Sequence, residues 1–431
     1  MVRPSPLTPG YRSSPYWWDD VTLPDPAPAP LPPEADVVVV GAGFTGLAAA
    51  WELARRGRHV VVLERDAVAA GASSRNGGMV HPGGKPSVAQ FLGLPGGRAL
   101  YEDTVRAVEA LEPLCAELGA DCDWRRTGHL ELAHHPRLAP RLRHEAEVAA
   151  GIGEDVRFVA GDELADEIGS PAFAAALLVG RAGGLHPAKL ATALAAAALG
   201  AGAALHQRCA VLALEADRAG HAVATAAGTV RCGDVVVATN GTTDGALVPW
   251  LGRRVLGIGS YILATEPVGP DLVAAVGPRG RMCFDTRNLL HYWRPSPDGT
   301  RILFGGRTSL APTTVERARD RLYAAMVRIH PQLAGVRVAR AWGGRVALTD
   351  DRLPHVGRHP RTGVVYAMGY CGSGVALALH LGRGVGRWLA GDGGPGPWAE
   401  GPWPRLPWAA RQPALLPAGG VLYRLRDAVG C

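Results

Sequence analysis

Lysine is almost missing from this chain. Of 45 lysine and arginine residues only Lys85 and Lys189 are lysine, so arginine carries the basic charge. The formal charge of +6 is scattered rather than gathered in blocks, and no nucleic-acid partner is expected. No apolar run reaches the roughly 18 residues of a membrane span. The longest candidate, residues 190–199, is alanine-rich, follows Pro187 and stops at Gly200, as a helix of a globular protein does. Residues 1–20 lack the apolar core of a signal peptide. The seven cysteines (Cys115, Cys122, Cys209, Cys232, Cys283, Cys371 and Cys431) are odd in number and show no metal-ligand spacing. They point to a reduced, cytoplasmic protein with neither a disulfide framework nor a metal.

What remains is a globular composition. The 431 residues are 47% hydrophobic and 19% charged, enough for two or three domains. The 57 glycines and 35 prolines follow no Gly-X-Y period, which excludes collagen. Residues 1–35 form an arm whose Pro24, Pro26, Pro28, Pro30, Pro32 and Pro33 exclude helix and sheet and leave it extended. Its Tyr16-Trp17-Trp18 cluster is expected to dock on the body, and regular structure to begin at Asp36. Residues 37–40 are a β-branched run, read as a strand buried on both faces of a parallel sheet. A helix over 45–56 and a strand over 59–63 complete a βαβ unit. Further strands are predicted at 211–216, 222–225, 234–239 and 363–369, and a helix over 186–200. Antiparallel strands are predicted at 261–264, 288–294 and 301–304, with a hairpin turn at Asp298-Gly299. Helices are predicted over 317–328, from the 369–374 turn to 389, and over 421–428.

The first glycine turn carries chemistry. Gly41-Ala42-Gly43-Phe44-Thr45-Gly46 is G-x-G-x-x-G between a buried strand and a helix, and Glu64 ends the next strand. That is the full context of a dinucleotide fingerprint. Gly41 makes the turn, Gly43 admits the pyrophosphate to the backbone, and Gly46 packs helix on strand. The helix N-terminus holds phosphate, and Glu64 accepts from the ribose hydroxyls. A second cluster, Gly71-Ala72-Ser73-Ser74-Arg75-Asn76-Gly77-Gly78, suits a flavin laid across the domain and has no use in a nicotinamide enzyme. A third turn, Gly369-Tyr370-Cys371-Gly372-Ser373-Gly374, opens a helix whose positive end can meet charge at the flavin N1/C2 edge.

With Tyr16-Trp17, the His186-Pro187 helix, VVATNG at 236–241, Thr265-Glu266-Pro267, FGGR at 304–307 and Trp342–Gly344, these motifs carry a resemblance. The chain resembles FAD-dependent amine and amino-acid oxidoreductases of the D-amino-acid oxidase superfamily, in the γ-glutamylputrescine oxidase, glycine oxidase and sarcosine oxidase branch. The resemblance spans roughly residues 16–391. It implies an α/β fold: a discontinuous Rossmann-like FAD-binding domain and a second, mostly antiparallel β-sheet substrate domain flanked by helices. We assign 36–86, 155–250 and 340–391 to the first, 87–154 and 251–339 to the second, and 392–431 to a Pro/Trp-rich tail that covers the active site or mediates a dimer. Expected cofactor contacts extend to Arg65, Val211, Asn240, Gly241, Gly344 and Val375.

The implied reaction removes two electrons from the C–N bond of a primary or secondary amine. Hydride passes from the α-carbon of the neutral amine to flavin N5, and the imine hydrolyses to an aldehyde or oxo acid plus amine. The partners are then a small-molecule amine and O2 or another electron acceptor, with the protein a monomer or homodimer. The cysteine that tethers flavin in sarcosine oxidases falls on Val346, so FAD is expected to be non-covalent. The carboxylate-binding arginine and lysine of those enzymes fall on Pro82 and Ala376, their oxygen-activating lysine on Leu303, and a histidine of relatives on Ser373. Arg307, in FGGR, falls on an active-site histidine. Tyr292 and Arg294 lie two apart, hence on one face of a strand, and Arg294 is expected to bind a substrate anion bidentately. His81 and Lys85 follow the serine-rich cluster, Lys85 as the local cation for oxygen activation or anion binding. Tyr261 and His291 are weaker candidates, Cys371 is expected to pack beneath the flavin, and Asp350-Asp351 reads as a turn cap or a paired-carboxylate site. Two other classes remain: a D-amino-acid or glycine dehydrogenase with a quinone acceptor, and a catalytically idle flavoprotein subunit.

Overall fold

Four consecutive β-branched residues have no polar face to present to water, and the chain buries both sides of them. In the computed structural model, which describes residues 4–27, 29–243, 245–399 and 403–430, Glu34–Val40 runs at the centre of a sheet with Val37, Val38 and Val39 fully buried. Pro28 and Cys431 lie outside the described residues. Parallel neighbours are Val60–Leu63 on one side and Gly228–Val237 on the other. Ala204–His206 continues the sheet beyond Val60–Leu63, and the antiparallel strands Val211–Asp217 and Gly220–Thr225 extend the other edge. Val365–Met368 pairs parallel with Gly228–Val237 and antiparallel with His355–Arg358.

Helix α1 (Phe44–Ala54) is buried along its whole length. It packs beside α2 (Pro187–Gly200) and against α3 (Val375–Leu389). Small residues make that second crossing possible: a Cβ at Gly382 would sit 2.4 Å from the Thr45 carbonyl oxygen, and one at Gly386 2.6 Å from the Glu52 Cβ. Glu52, with 1% of its side chain exposed, ties the two helices together through Arg383 (2.5 Å) and also pairs with Arg56.

The second sheet has nine strands, in the order Leu7–Arg12, Val338–Leu348, Leu256–Thr265, Ile302–Gly306, His291–Pro295, Met282–Asp285, His129–Leu132, Ala175–Val179, Val156–Ala160. Its pairings are antiparallel except Leu7–Arg12 with Val338–Leu348 and Met282–Asp285 with His129–Leu132. Helix Val315–Ile329 packs on the sheet through Leu322, Met326 and Ile329.

Three local expectations change. The arm is not wholly irregular, since Leu7–Arg12 pairs at the sheet edge, where the single Pro9 is tolerated and the proline run that breaks pairing has not begun. The strand expected over 288–294 starts only at His291, because the Asp427 carboxylate takes the amides of Asn288 (2.7 Å) and Leu289 (3.3 Å). Sheet membership also divides the chain elsewhere than the block boundaries read from sequence. Val156–Ala160, Ala175–Val179 and Val338–Leu348 all hydrogen-bond within the nine-stranded sheet. The aromatic cluster of the arm does dock: Trp17 is fully buried and its Nε1 donates to the Asn76 carbonyl (2.8 Å).

The tail ends in α4 (Leu416–Val429), which lies over the 285–290 segment. Besides Asp427, the contacts that fix it include His134 Nε2 to the Asp427 carbonyl (3.0 Å) and Arg137 Nη1 to the Val429 carbonyl (3.4 Å). Among the described residues no helix is long and apolar enough to cross a membrane, and no group of three or more His, Cys, Asp or Glu side chains is placed to hold a metal ion.

Candidate active site

Two clefts meet between the sheets. The larger, about 610 Å³, lies at the C-terminal ends of Glu34–Val40 and Val60–Leu63, where open α/β sheets bind ligands. Gly41, Gly43, Phe44, Thr45, Glu64, Arg65, Gly71, Ala72, Ser73, Val211, Asn240, Gly241 and Gly374 all line it. The smaller, about 380 Å³, is bounded on one side by the nine-stranded sheet and lined by Gly77, His81, Lys85, Tyr292, Arg307 and Ser373. Arg75, Asn76, Gly344, Val346, Gly372 and Val375 line both, so the clefts are continuous there.

The glycine turn has the geometry its spacing demands. Gly41 adopts φ +105°, closed to most side chains, and a Cβ at Gly46 would stand 1.9 Å from the Gly41 carbonyl oxygen. Glu64 Oε2 accepts from the Ala42 amide (2.8 Å) and Oε1 from the Asp66 amide (2.9 Å), which holds the carboxylate at the cleft wall. Ser73 Oγ accepts from the Phe44 amide (2.8 Å), joining the second cluster to the first turn of α1. Thr45 Oγ1 and the Tyr370 hydroxyl share a 2.7 Å hydrogen bond, joining the first turn to the third. Gly372 (φ +105°) and Gly374 then open α3 where the clefts meet. An extended dinucleotide fits this cleft: a glycine turn and helix start at one end, the Glu64 carboxylate at the end of the neighbouring strand, and a second helix start at the far end.

Several expected cofactor contacts are structural instead. Ser74 is fully buried, donating to the Ala69 carbonyl (2.7 Å) and accepting from Trp18 Nε1 (3.1 Å). Gly46 and Gly369 lie behind the cleft wall, the latter donating its amide to Asn240 Oδ1 (3.0 Å). Gly78 (φ +66°) is pressed against the Leu185 carbonyl.

Of the candidate catalytic residues, four converge and one does not. Tyr292 lies at the cleft wall, its hydroxyl 3.2 Å from Ser260 Oγ; burial raises it to about 12, although Ser260 and Arg307 pull the other way. Arg307, buried, donates through Nη2 to the Cys371 carbonyl (3.0 Å). Lys85 sits in the same wall, and burial together with repulsion from Arg307 lowers it to about 7 against a pull from Glu131. His81, lowered by burial, reaches Ser373 Oγ (3.4 Å) and the Pro82 carbonyl (2.9 Å). Arg294 is the exception. Its Nη1 donates to the carbonyls of Gly78 (3.1 Å) and Leu185 (2.9 Å), its Nε to that of Pro295 (3.0 Å), and it faces neither cleft. The alternation that puts it on the same face as Tyr292 says nothing about where a long side chain ends. Arg294→Ala is therefore expected to destabilise the protein by about 3 kcal/mol, because buried carbonyls lose a charged donor. Thermal melting checks this; an unchanged melting temperature with a raised KM would restore the anion-binding role.

The weaker candidates are likewise settled by their contacts. Tyr261 donates to the Thr313 carbonyl (2.8 Å), and His291 is held by Asp285 (3.0 Å). Asp351 caps the Leu353 amide (3.1 Å) and pairs with His355, so the Asp-Asp pair forms a turn and not a catalytic dyad. Cys371 packs its sulfur on Thr349 and faces neither cleft. Sequence reasoning missed Glu131, Arg141, Arg352 and Tyr423, all of which line the smaller cleft. Arg352, between the turn-capping Asp351 and Leu353, was within reach; Tyr423, in the tail, carried no local signal.

The family description "FAD dependent oxidoreductase" (DAO) matches residues 36–388. The Haemophilus influenzae protein named "Probable oxidoreductase OrdL" is 31% identical over 367 residues, 83% of each chain. The γ-glutamylputrescine oxidoreductase of Escherichia coli is 30% identical over 361 residues, covering 83% of this chain and 84% of its own. Among solved structures, glycine oxidase from Geobacillus kaustophilus superposes with a TM-score of 0.71 at 24% identity, over 86% of this chain and 97% of that one, a likeness of fold. With a glycine cradle, a second helix start and a roofed cleft in one continuous space, and a family match over most of its length, this chain belongs to the DAO family of FAD-dependent oxidoreductases.

Proposed function

We propose that the protein oxidises the C–N bond of a primary or secondary amine, amino acids included, with FAD bound non-covalently across the larger cleft and the amine in the smaller one. The observation that carries this is the continuity of the two clefts at Arg75, Gly344, Gly372 and Val375, which supports a reading with the two ligands end to end. FAD supplies the two-electron oxidant, and the imine left behind hydrolyses to an aldehyde or oxo acid and an amine. The chain's own residues orient the substrate and govern its proton. Lys85, Arg307 and Arg352 line one cleft, and an ammonium entering beside them is pushed towards the neutral amine whose lone pair the oxidation needs. The nine-stranded sheet bounds this space on one side, and α4 contributes Tyr423 to its lining.

Non-covalent binding is supported by Val346, which offers no thiol at the junction, and by Cys371, whose sulfur is turned to Thr349 (3.3 Å). Acid precipitation is expected to leave the flavin in solution; yellow pellets would overturn this part. Anaerobic bleaching of the flavin by an amine is the expected result for the reaction itself, and flavin that no amine bleaches would favour an idle subunit. Leu303, 2% exposed, packs with Ile262 and Trp342 and supplies no charge, so Lys85 is the lysine among the cations lining the smaller cleft that could help oxygen. Fast re-oxidation in air marks an oxidase. Slow re-oxidation in air with fast reaction of a quinone marks a dehydrogenase.

A further inference from the structure

The smaller cleft has an unbalanced charge. Its acids are already engaged: Asp285 by Arg287 and His291, Glu131 by Arg141 (3.3 Å). Among the described residues no carboxylate stands within ion-pair distance of Lys85, Arg307 or Arg352, although the three are close enough to repel one another. Lys85 makes no hydrogen bond among the described residues, and Arg307 uses one nitrogen on the Cys371 carbonyl.

Arg352 is presented unusually. Its backbone is left-handed (φ +63°), a conformation that non-glycine residues adopt rarely and that clusters at binding sites. From there its Nη2 donates to the Tyr423 hydroxyl (3.2 Å), across 71 positions of sequence. Because that phenol oxygen accepts from arginine, its own proton is free to donate to a ligand. The helix that brings Tyr423 is fixed by Asp427 to the loop lining the same cleft. Charged donors of one sign, with no carboxylate partner among the described residues and only part of their hydrogen-bonding capacity used, are the complement of an anion.

We propose that Arg352 and Tyr423 form a specificity-determining clamp for a carboxylate on the substrate, assisted by Lys85, so that α4 of the C-terminal tail is part of the substrate site. This rests on the reading of the smaller cleft as the amine site. It also gives the arm-to-tail chain a division of labour: the glycine turns hold the cofactor, and the last helix selects the substrate.

The test uses the FAD-loaded full chain, titrated with glutarate and with its neutral analogue glutaramide and followed by the flavin difference spectrum. Wild-type protein is expected to prefer glutarate by about tenfold or more, the worth of a charge-assisted hydrogen bond. Arg352→Gln is expected to erase that preference, Arg352→Lys to restore part of it, and Tyr423→Phe to reduce it severalfold while leaving glutaramide unaffected. A purely structural role for these residues would weaken both ligands alike. Absence of preference in the wild type, or a preference that survives Arg352→Gln, overturns the clamp. Should Arg352→Gln fail to retain flavin, Tyr423→Phe decides, and unchanged preference there overturns the proposal. Bleaching by amines is read separately, so loss of the clamp and loss of the amine reaction are told apart.

Discussion

Gly46→Ala is expected to purify without its yellow colour. The added methyl would lie 1.9 Å from the Gly41 carbonyl oxygen and 3.1 Å from both the Gly41 carbonyl carbon and a Val39 methyl. None of these is the end of a flexible side chain, so α1 must move away from Glu34–Val40 as a unit. Overpacking of a fixed backbone costs about 3 kcal/mol or more, which corresponds to about a hundredfold in FAD affinity if the displacement falls on the cradle. Flavin absorbance per protein, with a thermal melt to separate loss of cofactor from loss of fold, measures the effect. A wild-type flavin content would mean that the turn and the cofactor are not coupled.

Glu52→Ala is expected to unfold the protein more readily by about 3 kcal/mol, since removing one partner strands buried charge on the other. Burial alone would raise this carboxyl, but the hydrogen bonds and charges of Arg383 and Arg56 outweigh it and hold the group below its ordinary range. A lowered carboxyl contributes stability that is complete at neutral pH and disappears as pH falls through the depressed value. The wild type should therefore lose stability on acidification below the ordinary glutamate range, and Glu52→Ala should lose less over the same interval. Chemical denaturation at neutral and acid pH reads both. Equal losses in the two proteins would show that the α1–α3 tie carries no net stability.

The larger cleft was legible because its parts are short-range. Residues 37–46 contain strand, turn and helix start in one stretch, and each local preference agrees with its neighbours. The same holds for 71–78, although the pattern did not separate Ser73, which faces the cleft, from Ser74, which the arm's Trp18 claims. The smaller cleft was legible only in part. Arg294 was misread because its carbonyl partners lie 216 and 109 positions away. The strand expected at 288–290 was lost to Asp427, 139 positions downstream of Asn288.

A phosphate cradle is a backbone shape, and backbone shape follows from which residues tolerate which dihedral angles; order along the chain is enough to write it. The identity of the family follows from the same short motifs. A pocket for an anion is a matter of which charges end up uncompensated, and that depends on every acid brought near them. Lys85, Arg307, Arg352 and Tyr423 come from four distant segments, and Asp285 and Glu131 are neutralised by partners of their own. Electrostatic balance is a sum over space, so it exists only once the chain has closed on itself.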